Sequence, residues 1–220
     1  MSVQFPAESK IIGQVPVFPL NIPLLPHCNL PLQIFERRYL DMVADCLSNG
    51  TGFIVTLLKE GNAELEVLRD LPVAANSGDL PFYRVGTFAE ITDFGQRDNG
   101  LLALSVKGVY RCILADITQQ DSGLWVAHAA SVQDNGDLDP NLSTALLTYL
   151  EAATSEQIWQ QLETDRAGIS PEQAMNYLIT LLPFPGKIKQ MLIETDLLEV
   201  RQQKLVEFIQ LLSAKQRDHN

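Results

Sequence analysis

The sequence predicts an α+β protein with a β-rich N-terminal half and an α-helical C-terminal half. Short strand-like runs separated by turn residues fill the chain from about residue 11 to 133. After the loop-like stretch QDNGDLDPNLS the apolar residues recur with a period of 3.6. No long helical pattern separates consecutive strands, which favours a mostly antiparallel barrel over a doubly wound sheet. We therefore expect a β-rich domain over residues 1–135 and a helical subdomain over 136–220.

The first element is a proline-rich apolar segment, with five prolines in the sixteen residues from Pro16 to Pro31. Proline fixes φ and removes a ladder donor, so this segment can form only edge strand and extended loop. Its apolar side chains have two possible roles. They pack down as a loop wall, or some of them stay exposed on a stiff loop and hold an extended peptide. The candidates for the second role are Ile22, Leu24, Leu25 and Leu30.

A helix follows directly, in the stretch FERRYLDMVADCLSNG. Its apolar residues recur at helical spacing, and the Ser-Asn-Gly after them predicts its end. This stripe consists of Phe35, Tyr39, Met42, Val43, Cys46 and Leu47. Arg37 and Asp41 are four residues apart and can pair on the exposed face. We expect Glu36 and Arg38 to tie the helix to neighbouring backbone or to each other, rather than to clamp a substrate.

The remaining strands are predicted from apolar and β-branched runs bounded by turn residues. They lie at 52–58, 64–68, 82–91, 101–114 and 124–132. With the edge strand of the proline-rich segment, and with 101–114 counted as one strand or two, this gives a sheet of six or seven strands. Gly108 lies inside one of these runs and predicts a bulge or a bend there. The loop SGDLPFY at 77–83 is a second apolar loop. Its residues Leu80 and Phe82 either pack into the core or contribute to peptide binding.

The C-terminal half begins its clearest helix at Ser170, where Ser170, Pro171 and Gln173 form the pattern of a capping box. The stretch PFPG at 183–186 ends that helix. Further helices are expected at KIKQMLIE, after Thr195 or Asp196, and once or twice between residues 142 and 162.

Composition narrows the classes of function. The chain has 220 residues and a formal charge of −11, from 27 acidic against 16 basic residues, with no basic cluster. Such a chain repels nucleic-acid phosphates, so we expect no nucleic acid as a partner. Three cysteines without CxxC spacing predict reduced, buried thiols. Short apolar runs and the absence of a signal-like N-terminus predict a cytoplasmic protein without a membrane partner.

The sequence contains few residues that could form a catalytic or metal-binding site. His27 and Cys28 are adjacent, so on a strand they would point to opposite faces, and the other histidines are His128 and His219. A zinc site needs three or four converging ligands, and no nucleophile–base pair is apparent. The sequence contains neither a Walker A loop nor a Ser-Lys peptidase segment. We therefore expect no metal, no cofactor and no enzymatic activity.

Several phrases together resemble the Lon N-terminal domain family, also called the Lon substrate-binding domain. The phrases are FPL at 18–20, PL at 31–32, IFE at 34–36, RY at 38–39 and YRVGTFAEI around Gly86. VKGVYRCIL, with Gly108, is similar to the family's G-x-x-R-F-x-I strand, and KQMLIETD resembles its KQ-x-LLE-x-x-D phrase. The Val200-Arg201-Gln202 that follows departs from the usual Arg-Leu. The resemblance runs from about residue 14 to 212.

The resemblance implies a PUA-like pseudo-barrel that carries one inserted helix and is followed by a helical bundle. It assigns structural roles to a set of motif residues, namely Phe18, Pro19, Leu20, Phe35, Glu36, Arg38, Tyr39, Gly86 and Gly108. It also implies a stand-alone, non-catalytic module that binds unfolded or hydrophobic polypeptide segments and works with a separate ATPase or protease. Exposed loop side chains and a groove between the two halves would form the binding surface. RNA binding, for which PUA-like barrels often serve, stays open as an alternative, and so does an enzyme of unknown class.

Overall fold

The computed structural model describes residues 5, 9–59, 80–97, 100–162 and 166–218. The strands are β1 (Ile11–Leu20), β2 (Asn29–Ile34), β3 (Phe53–Leu58), β4 (Phe82–Gln96), β5 (Leu102–Gln119) and β6 (Trp125–Ser131). The helices are α1 (Arg37–Asn49), α2 (Pro140–Ala153), α3 (Glu156–Leu162), α4 (Pro171–Leu181), α5 (Gly186–Ile193) and α6 (Leu198–Asp218), with a short 3-10 turn at Arg166–Gly168. The predicted strand at 64–68 lies outside the described residues.

The chain divides into two compact units, residues 1–133 and 134–220. The first unit contains the six strands and α1, and the second contains α2 to α6. The predicted α+β class, with strands first and helices after them, is confirmed.

The six strands form one sheet in the order β2-β5-β4-β3-β1-β6, and β5 also pairs with β6. That additional pairing closes the sheet into a ring, which confirms the predicted pseudo-barrel with one inserted helix. All of its ladders are antiparallel except the one between β1 and β3. Two strands are much longer than the others: β4 has 15 residues and β5 has 18. Their far ends extend beyond the ring and, with β2, make a three-stranded sheet.

Strand β1 is not the edge strand that its prolines predict. It pairs with β6 through residues 11–17 and with β3 through residues 17–20. Pro16 therefore lies where only β6 is paired, and Pro19 lies where only β3 is paired. Each proline therefore has one side on which no strand is paired. The backbone position that lacks an N–H can face that side, so two strands can flank β1 without losing ladder bonds.

Aromatic contacts fix α1 on the sheet. The ring of Phe18 lies 4.2 Å from that of Tyr39 and 5.8 Å from that of Phe53. In the barrel core, the rings of Phe82 and Trp125 meet edge to face, with their centroids 5.4 Å apart. Aromatic pairs at such distances add to the stabilisation that their buried area provides. The FPL and RY phrases are separated in sequence, but Phe18 of the first and Tyr39 of the second are in direct contact.

Helix α1 confirms the predicted helix but begins two residues later than its apolar stripe. Glu36 is the N-cap residue, and Gly50 ends the helix in a left-handed conformation with φ of 61°. The predicted pair on the exposed face is present, with Arg37 Nε 3.0 Å from Asp41 Oδ1. Phe35 therefore precedes the helix and does not join its buried stripe.

The helical unit begins its predicted helix as expected, because Ser170 and Gln173 form a capping box at the start of α4. Two aspartates near the start of this unit, in a stretch whose sequence resembles a solvated loop, have structural roles. Asp139 caps α2 by accepting from two backbone N–H groups, and Asp134 pairs with the buried guanidinium of Arg201. Local sequence could not show this pairing, because the two residues lie far apart in the chain.

Candidate functional site

The proline-rich loop is packed onto the barrel. Leu24 and Leu25 are only 3% and 2% exposed, so packing is the role that the structure assigns to them. Thr87 Oγ1 donates to the Leu24 carbonyl at 2.6 Å. The N–H of His27 donates to the Gly108 carbonyl at 2.7 Å. A Cβ at Gly108 would lie 2.9 Å from the carbonyl carbon of Leu25, so only glycine lets the loop come this close.

The other predicted peptide-binding residues do not form one surface. Leu80 and Phe82 are buried in the barrel core, and Leu30 is half-buried in β2. Ile22 alone among the six candidates is exposed, at 53%. A contribution of these residues to peptide binding stays a prediction, and Ile22 is the one that presents its side chain to solvent.

Residues of the family phrases make close contacts within the barrel unit. Arg38 contacts Glu36 at 2.8 Å and donates to the carbonyl of Gly123 at 2.8 Å, which ties the start of α1 to the β5–β6 turn. Gly86 faces the backbone of β3, where a Cβ would collide with the carbonyl oxygen of Val55. Pro19 and Leu20 lie in β1 opposite β3. These contacts stabilise the barrel and do not build a binding surface.

An exposed apolar groove lies where β2, β4 and β5 extend beyond the ring. Its volume is about 420 Å³. Two phenylalanines on its wall are largely exposed, Phe35 at 62% and Phe94 at 59%. We call this site the distal groove, and its lining residues are Ile34, Phe35, Leu40, Phe94, Gly95, Gln96, Gly100, Leu101 and Leu102. A second depression of about 350 Å³ shares Phe94, Gly95 and Gln96 with it.

Local sequence explains how the two phenylalanines come to be exposed. Phe35 lies in the short connection between β2 and α1, and its neighbour Ile34 takes the buried position at the end of β2. Phe94 lies on the part of β4 that extends past β3, whose pairing with β4 stops at Ala89. A Cβ at Gly95 would meet nothing within 4 Å, so the groove stays open beside Phe94.

Sequence reasoning missed both residues as candidates for binding. Phe35 fits the apolar period of α1, which predicts that it belongs to the apolar stripe of that helix. Phe94 lies in TDFGQRDNG, which reads as a connection, whereas β4 continues through it to Gln96. The one available signal was an aromatic residue inside a polar, glycine-containing stretch, where no core face exists for it.

The chemistry of the distal groove is contact with apolar groups. Its lining residues carry no ionisable side chain. Titratable groups with shifted pKa values lie elsewhere: burial raises the pKa of Cys112 to about 12 and also raises the pKa of Cys46. Buried thiols of this kind are inert. Across the described residues, no three His, Cys, Asp or Glu side chains come together as metal ligands would.

No helix in the described parts of the chain is both long enough and apolar enough to cross a membrane.

Solved structures share this fold. A crystal structure of a Lon N-terminal domain protein from Xanthomonas campestris is similar with a TM-score of 0.66 and 29% identity, and it aligns over 89% of this chain and 98% of that one. The N-terminal domain of the Lon protease of the Mycobacterium avium complex has a TM-score of 0.65 at 15% identity, over 88% of this chain and 96% of that one. The second likeness concerns the fold alone. No curated protein matched the sequence.

The sequence profile of the ATP-dependent protease La (LON) substrate-binding domain matches residues 14–210, and no profile of a catalytic domain was found beside it. This match includes the FPL, IFE and RY phrases, all six strands except the first three residues of β1, and most of the helical unit. The chain therefore belongs to the Lon substrate-binding domain family, which implies a role in substrate recognition.

Proposed function

We propose that this protein is a non-catalytic module that binds unfolded or hydrophobic polypeptide segments, and that the distal groove is its binding surface. The observation that carries the proposal is the pair of exposed phenylalanines, Phe35 and Phe94, on the wall of one apolar groove. Family membership supports the proposal, because the substrates of a protease are polypeptides.

The physical argument is the area of apolar surface that a segment would cover. Phe35 and Phe94 are each more than half exposed, so a bound apolar side chain would remove surface of both rings from water. Segments buried inside folded proteins cannot reach such a groove, whereas unfolded chains can. The affinity of one such site is modest, because an unfolded segment loses conformational freedom when it binds.

A binding experiment tests the proposal with fluorescently labelled ribonuclease A that has been reduced and alkylated. We expect the unfolded form to bind and the native, disulfide-intact form not to bind. Phe94→Ser and Phe35→Ser should each weaken binding roughly tenfold, since complete burial of a phenylalanine side chain contributes about 1.5–3 kcal/mol and these rings are partly covered already. Fluorescence anisotropy measures the dissociation constants.

The matched control is Ile11→Ser, because Ile11 is 67% exposed and does not line the groove. Binding by this variant should equal that of the wild type. Ile22→Ser tests the exposed peptide-binding candidate of the proline-rich loop: a loss confined to this variant would move the site to that loop. Unchanged binding in folded Phe35→Ser and Phe94→Ser variants would refute the distal groove.

RNA binding remains the alternative for a PUA-like barrel, and a labelled RNA oligonucleotide at low salt is a further arm of the same experiment. We expect no mobility shift, because a chain with 27 acidic and 16 basic residues repels phosphates. We also propose that a separate ATPase or protease acts on the bound segment, and capture of such a partner together with the unfolded substrate would test that.

A further inference from the structure

In the part of the chain that the structure describes, the backbone of β4 has an open edge beside the distal groove. Among the described residues, no strand pairs with β4 on its β3 side beyond Ala89. On its other side, β4 stays paired with β5 as far as Gln96, opposite Leu102. The segment 90–96 therefore has one side paired with β5 and one side that no described strand pairs.

The pattern of hydrogen bonds between β4 and β5 shows which backbone N–H and C=O groups of β4 face the open side. The N–H of Arg97 donates to the Leu101 carbonyl at 3.0 Å, so this pair is hydrogen-bonded across the ladder. Hydrogen-bonded and non-hydrogen-bonded pairs alternate in an antiparallel ladder. The pairs formed by Phe94 and Gln96 are consequently the non-hydrogen-bonded ones. The N–H and C=O groups of these two residues are directed to the open side.

The opposite edge of the same three-stranded sheet is less able to accept a strand. β2 is its outer strand, and the same alternation directs the backbone of Pro31 outward. Proline has no N–H, so the middle of this edge lacks a donor. Of the two edges, the β4 edge has a backbone N–H at each of its outward-facing residues, Phe94 and Gln96, and it lies beside exposed apolar residues.

One donor of the β4 edge has a local partner. The N–H of Phe94 donates to Oδ1 of Asp93 at 2.9 Å. An acidic residue within an edge strand is a common protection against unwanted pairing. Asp93 thus occupies a donor that an incoming strand would use, and it adds a negative charge beside that of Glu90.

We propose that an extended polypeptide segment binds by adding as a strand to residues 90–96 of β4, with alternate side chains in the distal groove. This rests on the proposed function and specifies how the segment is held. Main-chain hydrogen bonds to Phe94 and Gln96 provide affinity that does not depend on sequence, and the groove selects apolar side chains at every second position. Such a mode suits a module that must accept many different unfolded chains.

Charge decides which segment fits. Glu90 and Asp93 lie on the edge strand and are exposed, and the whole chain carries −11. Both charged residues of the segment 90–96 are acidic, so a bound segment without acidic residues avoids repulsion by them. A second copy of this chain, paired edge to edge, would bring two further carboxylates of the same kind to the same junction, which is unfavourable. The occupant is therefore an apolar segment without acidic residues, and not a second copy.

The test uses a labelled peptide of about eight residues, with Val or Leu alternating with Thr and a lysine at each end. A matched peptide has the same side chains but carries N-methyl groups on alternate amides, which removes the donors along one edge. We expect the unmethylated peptide to bind and the methylated peptide to bind roughly tenfold more weakly or not at all. This comparison uses the wild-type protein and does not depend on how any variant folds.

Substitutions in the protein, rather than in the peptide, test the same edge of β4. Gln96→Pro removes the outward N–H of Gln96 and should weaken binding roughly tenfold. Gln96→Ala keeps the backbone N–H and loses only the side chain, whose Nε2 donates to the Gly100 carbonyl at 3.3 Å, so it measures the part of the loss that the side chain causes. A loss as large as that of Gln96→Pro would contradict the backbone contact. Asp93→Asn keeps the size of the side chain and removes its charge, so it should bind the peptide more tightly than the wild type.

The outcomes separate the two proposals. If Phe94→Ser weakens binding while the methylated peptide and Gln96→Pro both bind normally, the groove is the site and strand addition is wrong. If none of these changes affects binding, both proposals are wrong. If sedimentation shows a dimer that Gln96→Pro dissociates and the peptide does not bind, the occupant is a second copy and the proposed segment is excluded.

Discussion

At the scale of single residues, two buried polar side chains of the helical unit, Arg201 and Gln202, are held by specific partners. The guanidinium of Arg201 is 2% exposed, and it contacts the carboxylate of Asp134 and the carbonyl of Thr195. The neighbouring Gln202 hydrogen-bonds both the backbone of Asp139 and the hydroxyl of Ser143. A buried charge without such partners would cost several kcal/mol. The contacts of Arg201 and Gln202 therefore fasten the segment 134–143 to α6.

Cys112 leads to a prediction about pH. Burial raises its pKa to about 12, whereas the unfolded chain titrates near the ordinary value of 9.0. Between these values the unfolded chain binds fewer protons than the folded one, so the free energy of unfolding falls as the pH rises. The contribution of one thiol reaches about 1.4 kcal/mol per pH unit.

Urea unfolding followed by circular dichroism between about pH 9 and pH 11 measures this effect. We expect the urea midpoint of the wild type to fall more steeply with pH than that of Cys112→Ala. Cys46 and Tyr110 also have raised pKa values and contribute to both slopes in the same direction. Equal slopes for the two proteins would contradict the raised pKa of Cys112.

At the scale of elements, differences in strand length create the candidate site. β4 and β5 are long enough to close the ring at one end and to form a separate three-stranded sheet with β2 at the other. A register shift between Phe88 and Ala89, opposite Tyr110 and Gly108, lies between these two parts. The bulge predicted at Gly108 is confirmed there. Bulges bend strands and increase their twist, which suits the change from ring to extension.

Two glycines on these strands give opposite predictions for the same substitution. At Gly108 a Cβ would collide with the backbone of Leu25, whereas at Gly95 it would meet nothing within 4 Å. We expect Gly108→Ala to destabilise the protein by about 1–3 kcal/mol, because neighbouring backbone must shift. Gly95→Ala is the control and should change stability by less than about 0.5 kcal/mol.

Urea or thermal unfolding of both variants measures the difference. A small effect at Gly108, comparable to that at Gly95, would show that the proline-rich loop can move away from β5 at little cost. In that case the burial of Leu24 and Leu25 would not be a firm property of the loop, and their part in binding would have to be reconsidered.

At the scale of the whole molecule, each of the two units has its own core. The unit 1–133 buries the barrel interior, with residues such as Val17, Ile54 and Leu114. The unit 134–220 buries Tyr177 and Leu205 among its helices. A domain with its own core can in principle fold alone.

We expect the isolated segment 1–133 to unfold cooperatively on heating and to keep the circular dichroism of a β-rich protein. It should also bind the unfolded ribonuclease, because the distal groove lies entirely within this unit. A gradual, non-cooperative transition would show that the barrel needs the helical unit, and loss of binding by a folded segment would place part of the site outside residues 1–133.

Local chemistry in the sequence was sufficient for the α+β class, for α1, for the capping box at Ser170 and for the family. These features depend on periodicity, on capping residues and on phrases that lie close together in the chain. The fate of the proline-rich loop could not be predicted in the same way. Leu24 and Leu25 are buried because distant residues, Thr87 and Gly108, accommodate the loop backbone.

The distal groove likewise depends on tertiary structure. Nothing in the neighbourhood of Phe94 shows that β4 outruns β3, and nothing near Phe35 shows that α1 begins only at Arg37. The sequence alone determined the α+β class, the helix α1, the start of α4 and the family to which the chain belongs. Tertiary structure decided which apolar side chains stay in water, because exposure depends on where each strand's neighbours end.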